Sequence, residues 1–117
     1  MTNLTRQSVG SYSTYLAGNT SLTGNFTTNG GNLLIFFSGS GWHTGGGSIG
    51  ATILINGVAA GTIRSYTNEG SSHKAFVPGT FLHAPVPVGT TTFAISLLPG
   101  TNHDLNDYFS VTVLEFI

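Results

Sequence analysis

Between Ser48 and Tyr66 the chain carries its strongest local instruction. Ile49, Ala51, Ile53 and Ile55 recur at every second position up to Asn56-Gly57, and Val58 begins a return run. A period of two puts those side chains on one face of a strand, and Asn-Gly accepts the positive φ angles of a two-residue hairpin turn. Such a turn predicts Ile55 opposite Val58, Ile53 opposite Ala60 and Ala51 opposite Thr62. One face of the hairpin is then apolar near the turn and polar towards Arg64.

The rest of the chain follows the same grammar. Helical periodicity is hard to find, whereas β-branched and aromatic runs recur between Gly, Pro and Asn punctuation, as in a sandwich or barrel. Strands are expected at Ser11 to Ala17 and Ser21 to Thr27, joined by Gly18-Asn19-Thr20, with a turn at Asn29-Gly30-Gly31. Leu33-Leu34-Ile35-Phe36-Phe37 has no polar face, so it is expected to be covered on both sides, by two sheets or by a neighbouring subunit. Further strands are read at His73 to Val77, Thr80 to His83 and Thr90 to Leu98, with Pro78, Pro85, Pro87 and Pro99 between them. In the last run, Tyr108 to Ile117, Phe109, Val111 and Val113 share one face while Leu114 and Phe116 share the other. A chain end inside such a strand is expected to be tied into a sheet. No internal repeat, linker or collagen-like segment interrupts the pattern, and residues 1–117 are read as one antiparallel β-sandwich.

Seven charged side chains in 117 residues make 6% charge, against roughly 25% in ordinary soluble domains. Interfaces are depleted in charge relative to free surface, so much of the outside is read as contact surface. Arg6, Arg64 and Lys74 are the only permanent cations, and the net charge is -1. That leaves no electrostatic footprint for phosphate backbones or anionic lipid, so neither nucleic acid nor a membrane surface is expected as a partner. Cysteine is absent, which excludes disulfide staples, thiolate metal sites and a cysteine nucleophile. The first residues lack the apolar stretch of a secretory signal. Asn3, Asn19 and Asn25 each begin a glycosylation sequon, a pattern that an Asn- and Thr-rich chain also produces by chance.

Taken in order, Leu33 to Phe37, Ile53-Leu54-Ile55-Asn56-Gly57-Val58, Phe93 to Leu97 and Tyr108-Phe109-Ser110 resemble the strands of a known superfamily. It is the jelly-roll of the complement globular head and the tumour-necrosis-factor ligands. The resemblance implies a compact trimer packed along aromatic and aliphatic side chains, with recognition on exposed loops or inter-subunit grooves. The Gly-rich loop Ser38 to Gly47 and the scarcity of charge depart from the charged crown of many relatives, so no ligand is carried over.

Two glycine patterns carry no chemistry. Residues 46–50 satisfy Gly-x-Ser-x-Gly and residues 45–50 satisfy Gly-x-Gly-x-x-Gly, but both motifs need a helix to follow and a strand is expected here. Four histidines, His43, His73, His83 and His103, stand out among so few ionisable groups, without metallohydrolase spacing. The segment from Thr101 to Asp107 offers His103, Asp104, Asn106 and Asp107 as a candidate site for calcium or zinc. A solvated turn capping the last strand is the plainer reading of the same residues. Trp42 and His43, with Asn68, Glu69, His73 and Lys74, offer an aromatic ring beside hydrogen-bonding groups, a mixture suited to a sugar. The same Trp also suits the role of a sheet-edge anchor.

The leading reading is therefore a non-enzymatic oligomeric recognition module, a trimer that binds a glycan or a protein through its loops at an extracellular or particle surface. A capsid- or fibre-type building block without a small ligand is the alternative. A metal-dependent hydrolase using His43, His73, His103 and Asp104 ranks last, because no set of base, nucleophile and oxyanion donor is recognisable.

Overall fold

A computed structural model describes residues 8–17 and 22–116. Among these described residues nine strands form two antiparallel sheets: β1 (Ser8–Ala17), β2 (Thr23–Thr28), β3 (Asn32–Gly41), β4 (Gly47–Ile55), β5 (Val58–Thr67), β6 (Lys74–Ala75), β7 (Gly79–His83), β8 (Gly89–Leu97) and β9 (Tyr108–Phe116). One sheet runs β1-β9-β3, with β7 and the short β6 both paired to the far side of β3, and the other runs β2-β8-β4-β5. This is a jelly-roll sandwich, as the strand pattern implied. The join at Gly18-Asn19-Thr20, the sequons at Asn3 and Asn19, and Arg6 lie outside the described residues; Asn25 is exposed on β2.

The core lies between the two sheets. Leu33, Ile35 and Phe37 of β3 and Phe109, Val111 and Val113 of β9 face Ile49, Ala51, Ile53 and Ile55 of β4 and Phe93 and Ile95 of β8, all of them buried. Burying a large aliphatic or aromatic side chain stabilises the fold by about 1.5–3 kcal/mol. With no disulfide among these residues, packing supplies the stability. Of the strand expected at His73 to Val77 only Lys74–Ala75 joins the ladder, yet Phe76 is buried in the core. All four prolines fall between strands.

Two expectations change. The Asn56-Gly57 turn forms as read, with φ of 49° and 81°, and Ile55 opposes Val58. After Leu54↔Ala59, however, a bulge at Ala60 shifts the register, so that Ile53 opposes Gly61 and Ala51 opposes Ile63. An extra residue on one strand reverses the facing of everything beyond it. Ile63 thereby enters the core at 3% exposure, and Thr62 meets Thr52 outside it, the two hydroxyls 2.7 Å apart. A strict two-residue register would have put Thr62 inside.

The second change concerns β3. Ser38 to Gly41 is not loop but the continuation of the strand, and the connection to β4 is confined to residues 42–46. Gly39 permits this, because a Cβ there would stand 2.6 Å from the Phe109 ring. The apolar run is also covered on one side only among the described residues. Phe36 is 40% exposed beside the buried Phe37, and no second layer among the described residues lies over its face. Cross-strand register aligns Leu82, Leu34 and Leu114 in one outer row and Thr80, Phe36 and Thr112 in the next. A pocket of about 270 Å³ opens there between Phe36, Ser38, Pro78, Thr80 and Thr112.

Candidate functional site

At one end of the sandwich three connections meet: residues 42–46 after β3, 68–73 after β5, and 98–107 before β9. Backbone bonds tie them together. Trp42 and Asn102 exchange N–H···O bonds of 2.9 and 2.8 Å, and Ser71 N donates to the His43 carbonyl at 2.7 Å. Loops so joined give their side chains fixed positions, although each is remote from the others in sequence.

Asp107 anchors the arrangement. It is 2% exposed, at the mouth of β9, and three groups surround its carboxylate. Ser40 Oγ donates to Oδ1 at 2.8 Å, Asp104 N donates to Oδ2 at 2.9 Å, and His73 Nδ1 lies 2.9 Å from Oδ1. Across the ring, His73 Nε2 stands 3.4 Å from Asp104 Oδ2. The hydrogen bond to Asp107 holds the His73 pKa above its ordinary value; burial opposes the shift, and the negative charges of Asp107 and Asp104 add to it. Asp104 is braced in turn by Asn106 N, which donates to Oδ1 at 2.9 Å in an Asx turn.

The two candidate groups read from the sequence therefore meet at one residue. His73, assigned to the aromatic loop site, joins Asp104 and Asp107 of the acidic segment, and their ligand atoms lie within 4.8 Å of one another. His103 is not in that cluster: its ring stands edge-on to Phe109 at 5.7 Å. Asn106 contributes through its backbone, and His43 through its carbonyl. Trp42 is half-buried, its ring centroid 6.1 Å from that of His73, and its Nε1 is a buried donor without a hydrogen-bond partner. Lys74 pairs with Glu69 at 3.8 Å on the surface, where such contacts add about 0–1 kcal/mol; Asn68 is exposed beside them. His83 lies away from this end, on β7, with its Nδ1 2.7 Å from the Ala84 carbonyl. The strand β4 begins at Gly47, so neither glycine motif leads into a helix.

Sequence reading missed two polar partners. Ser40 sat in what read as loop. Glu115 was overlooked although the alternation Phe109, Val111, Val113 carries straight on to it: it points inward and is 4% exposed. Its carboxylate accepts from Asn29 N at 2.8 Å, from Gly31 N at 2.9 Å and from the Thr28 hydroxyl, closing the opposite end of the sandwich. Burial works to raise the Glu115 pKa, but the Thr28 hydroxyl and the backbone donors outweigh it, and the group titrates below its ordinary value.

No family model matches the chain, and neither does any curated protein sequence. Solved structures share its fold. The globular domain of zebrafish complement 1qA protein superposes with a TM-score of 0.53 at 16% identity, over 77% of this chain and 66% of that one. The tripod from the baseplate of bacteriophage Tuc2009 gives 0.60 at 15% identity, over 90% and 63%. A β-glucosidase from Paenibacillus barengoltzii gives 0.52 at 13% identity, over 91% of this chain but 10% of the enzyme. The chain thus spans less than two thirds of the length of each. Its fold is a jelly-roll β-sandwich like that of the complement 1qA globular domain. Among the described residues no helix is long and apolar enough to cross a membrane.

Proposed function

We propose that the chain is a non-enzymatic recognition module that works as a homotrimer, self-associating through the outer face of the β1-β9-β3-β7 sheet and presenting the loops around Trp42 and His73 to a ligand at an extracellular or particle surface. The observation that carries this reading is the outer face itself. Leu82, 71% exposed, stands in one row with Leu34 and Leu114, and Phe36, 40% exposed, lies in the next row between Thr80 and Thr112. An exposed apolar row beside a phenylalanine supports an interaction surface. Low overall charge supports the same use, and two neighbours in fold come from a complement protein and a phage baseplate.

A recognition role assigns Trp42, His43, Asn68, Glu69, His73 and Lys74 to a ligand of glycan or protein character. Three copies of a weak site add avidity without any new contact. Multi-angle light scattering tests the assembly: the expected mass is three times that of one chain, and Leu82→Lys with Phe36→Lys is expected to yield folded single chains. A wild-type protein that stays monomeric at high concentration overturns the reading. A glycan array then tests the loops, with Trp42→Ala expected to remove the signal; a trimer that binds nothing on the array favours the scaffold alternative.

A further inference from the structure

The surroundings of Asp107 have the form of a metal site whose outer partner is already in place. The Asp107 side chain has no exposed surface, and its oxygens are engaged by Ser40, His73 and Asp104 N. A carboxylate at 2.9 Å makes His73 Nδ1 the hydrogen-bearing nitrogen, which leaves a lone pair on Nε2 of the neutral ring. This is the relay in which a carboxylate orients a metal-binding imidazole and raises its basicity.

The other side of the ring is open. His73 and Asp104 are 33% and 39% exposed, and Nε2 stands 3.4 Å from Asp104 Oδ2. That is long for a charge-assisted hydrogen bond, which runs about 2.7–2.9 Å. It matches the edge of a tetrahedron around zinc, where two ligands about 2.0–2.1 Å from the ion stand about 3.3–3.4 Å apart. Two carboxylates beside one imidazole also concentrate negative charge in a chain with few cations, and the nearby Lys74 is turned to Glu69 instead.

We propose that His73 Nε2 and Asp104 Oδ2 bind a divalent transition-metal ion of the zinc class, with Asp107 as the positioning residue and the remaining coordination positions open to water or to an oxygen donor of a ligand. An imidazole ligand selects zinc, copper or nickel over calcium, which takes six to eight oxygens. The ion would clamp residues 68–73 to residues 98–107, and the site stands independently of how the outer sheet face is used.

Calorimetric titration of chelator-treated full-length protein with zinc chloride at neutral pH tests this, together with nitrogen NMR of the imidazoles. The expected result is one zinc per chain, a shifted His73 Nε2 signal, loss of binding in His73→Gln and in Asp104→Asn, and binding unchanged in His43→Gln and His103→Gln. Asp107→Asn is expected to weaken binding by about 10–100-fold, as loss of an outer partner does. Should Asp107→Asn fail to fold, the two partly exposed ligand variants carry the decision. Absence of saturable zinc binding, binding that survives His73→Gln, or uptake of calcium but not zinc overturns the proposal.

Discussion

Phe36 and Phe37 are neighbours on one strand and have opposite environments. Phe37 is 1% exposed between the sheets, while Phe36 is 40% exposed on the outer face beside Thr80 and Thr112. The same contrast runs along β9, where Val111 and Val113 are buried and Leu114 and Phe116, pointing the other way, are only partly covered. Both faces carry large apolar side chains, so the run Leu33 to Phe37 alone does not say which side the chain covers by itself. The inner face holds the fold together; the outer face is the one left partly open among the described residues.

Substitution can break this comparison most directly at the two phenylalanines. Phe37→Ala is expected to destabilise the fold by about 3–5 kcal/mol, because it leaves a cavity between the sheets. Phe36→Ala is expected to cost at most about 1–2 kcal/mol of subunit stability, in keeping with its partial burial. Urea denaturation of the two variants measures the gap, and equal losses would mean that the outer face is also internally packed.

Glu115 sharpens the contrast, since it is the one acid carried on the inward side of β9. Glu115→Ala removes the acceptor of the Asn29 and Gly31 amides and is expected to cost about 1–3 kcal/mol, read in the same denaturation assay. Its folded-state pKa is depressed, so its contribution is complete above the unfolded-state value and is lost as pH falls through the folded one. Acid titration of stability should therefore show a decline on the acidic side of the ordinary carboxylate range. Glu115→Gln is expected to flatten that decline. An effect no larger than that at Phe36 belongs to the turn between β4 and β5. Asn56→Ala at a φ of 49°, losing also the 3.0 Å bond from Thr92 N to Oδ1, is expected to lower the melting temperature by the equivalent of about 1–2 kcal/mol, and Asn56→Gly by less.

Much of the architecture was legible because its signals are local. The Asn56-Gly57 turn, the inward set Ile49, Ala51, Ile53 and Ile55, and the faces of β9 all follow from side-chain period and turn chemistry, which act over a few residues. The bulge at Ala60 was not legible. Nothing in Val58-Ala59-Ala60-Gly61 distinguishes an extra residue from a paired one until Ile63 has a core to enter. The continuation of β3 depends likewise on remote neighbours, the Phe109 ring against Gly39 and the Asn102 carbonyl against Gly41, 70 and 61 residues further along. At the loop end, polar and aromatic residue types were legible in the sequence, but which of them stand together in space was not. Asp107 finds His73 at 34 residues' separation and Ser40 at 67.

By itself, then, the sequence determined an all-β chain, the hairpin and its turn, the inward face of β4, and a surface poor in charge. Those are consequences of period, propensity and composition, each readable within a short window. Only the tertiary structure decided which apolar face is covered, where the register shifts, and that His73 stands between Asp104 and Asp107. Those outcomes depend on which strands become neighbours, and neighbours far apart in the chain leave no mark on the local pattern of either.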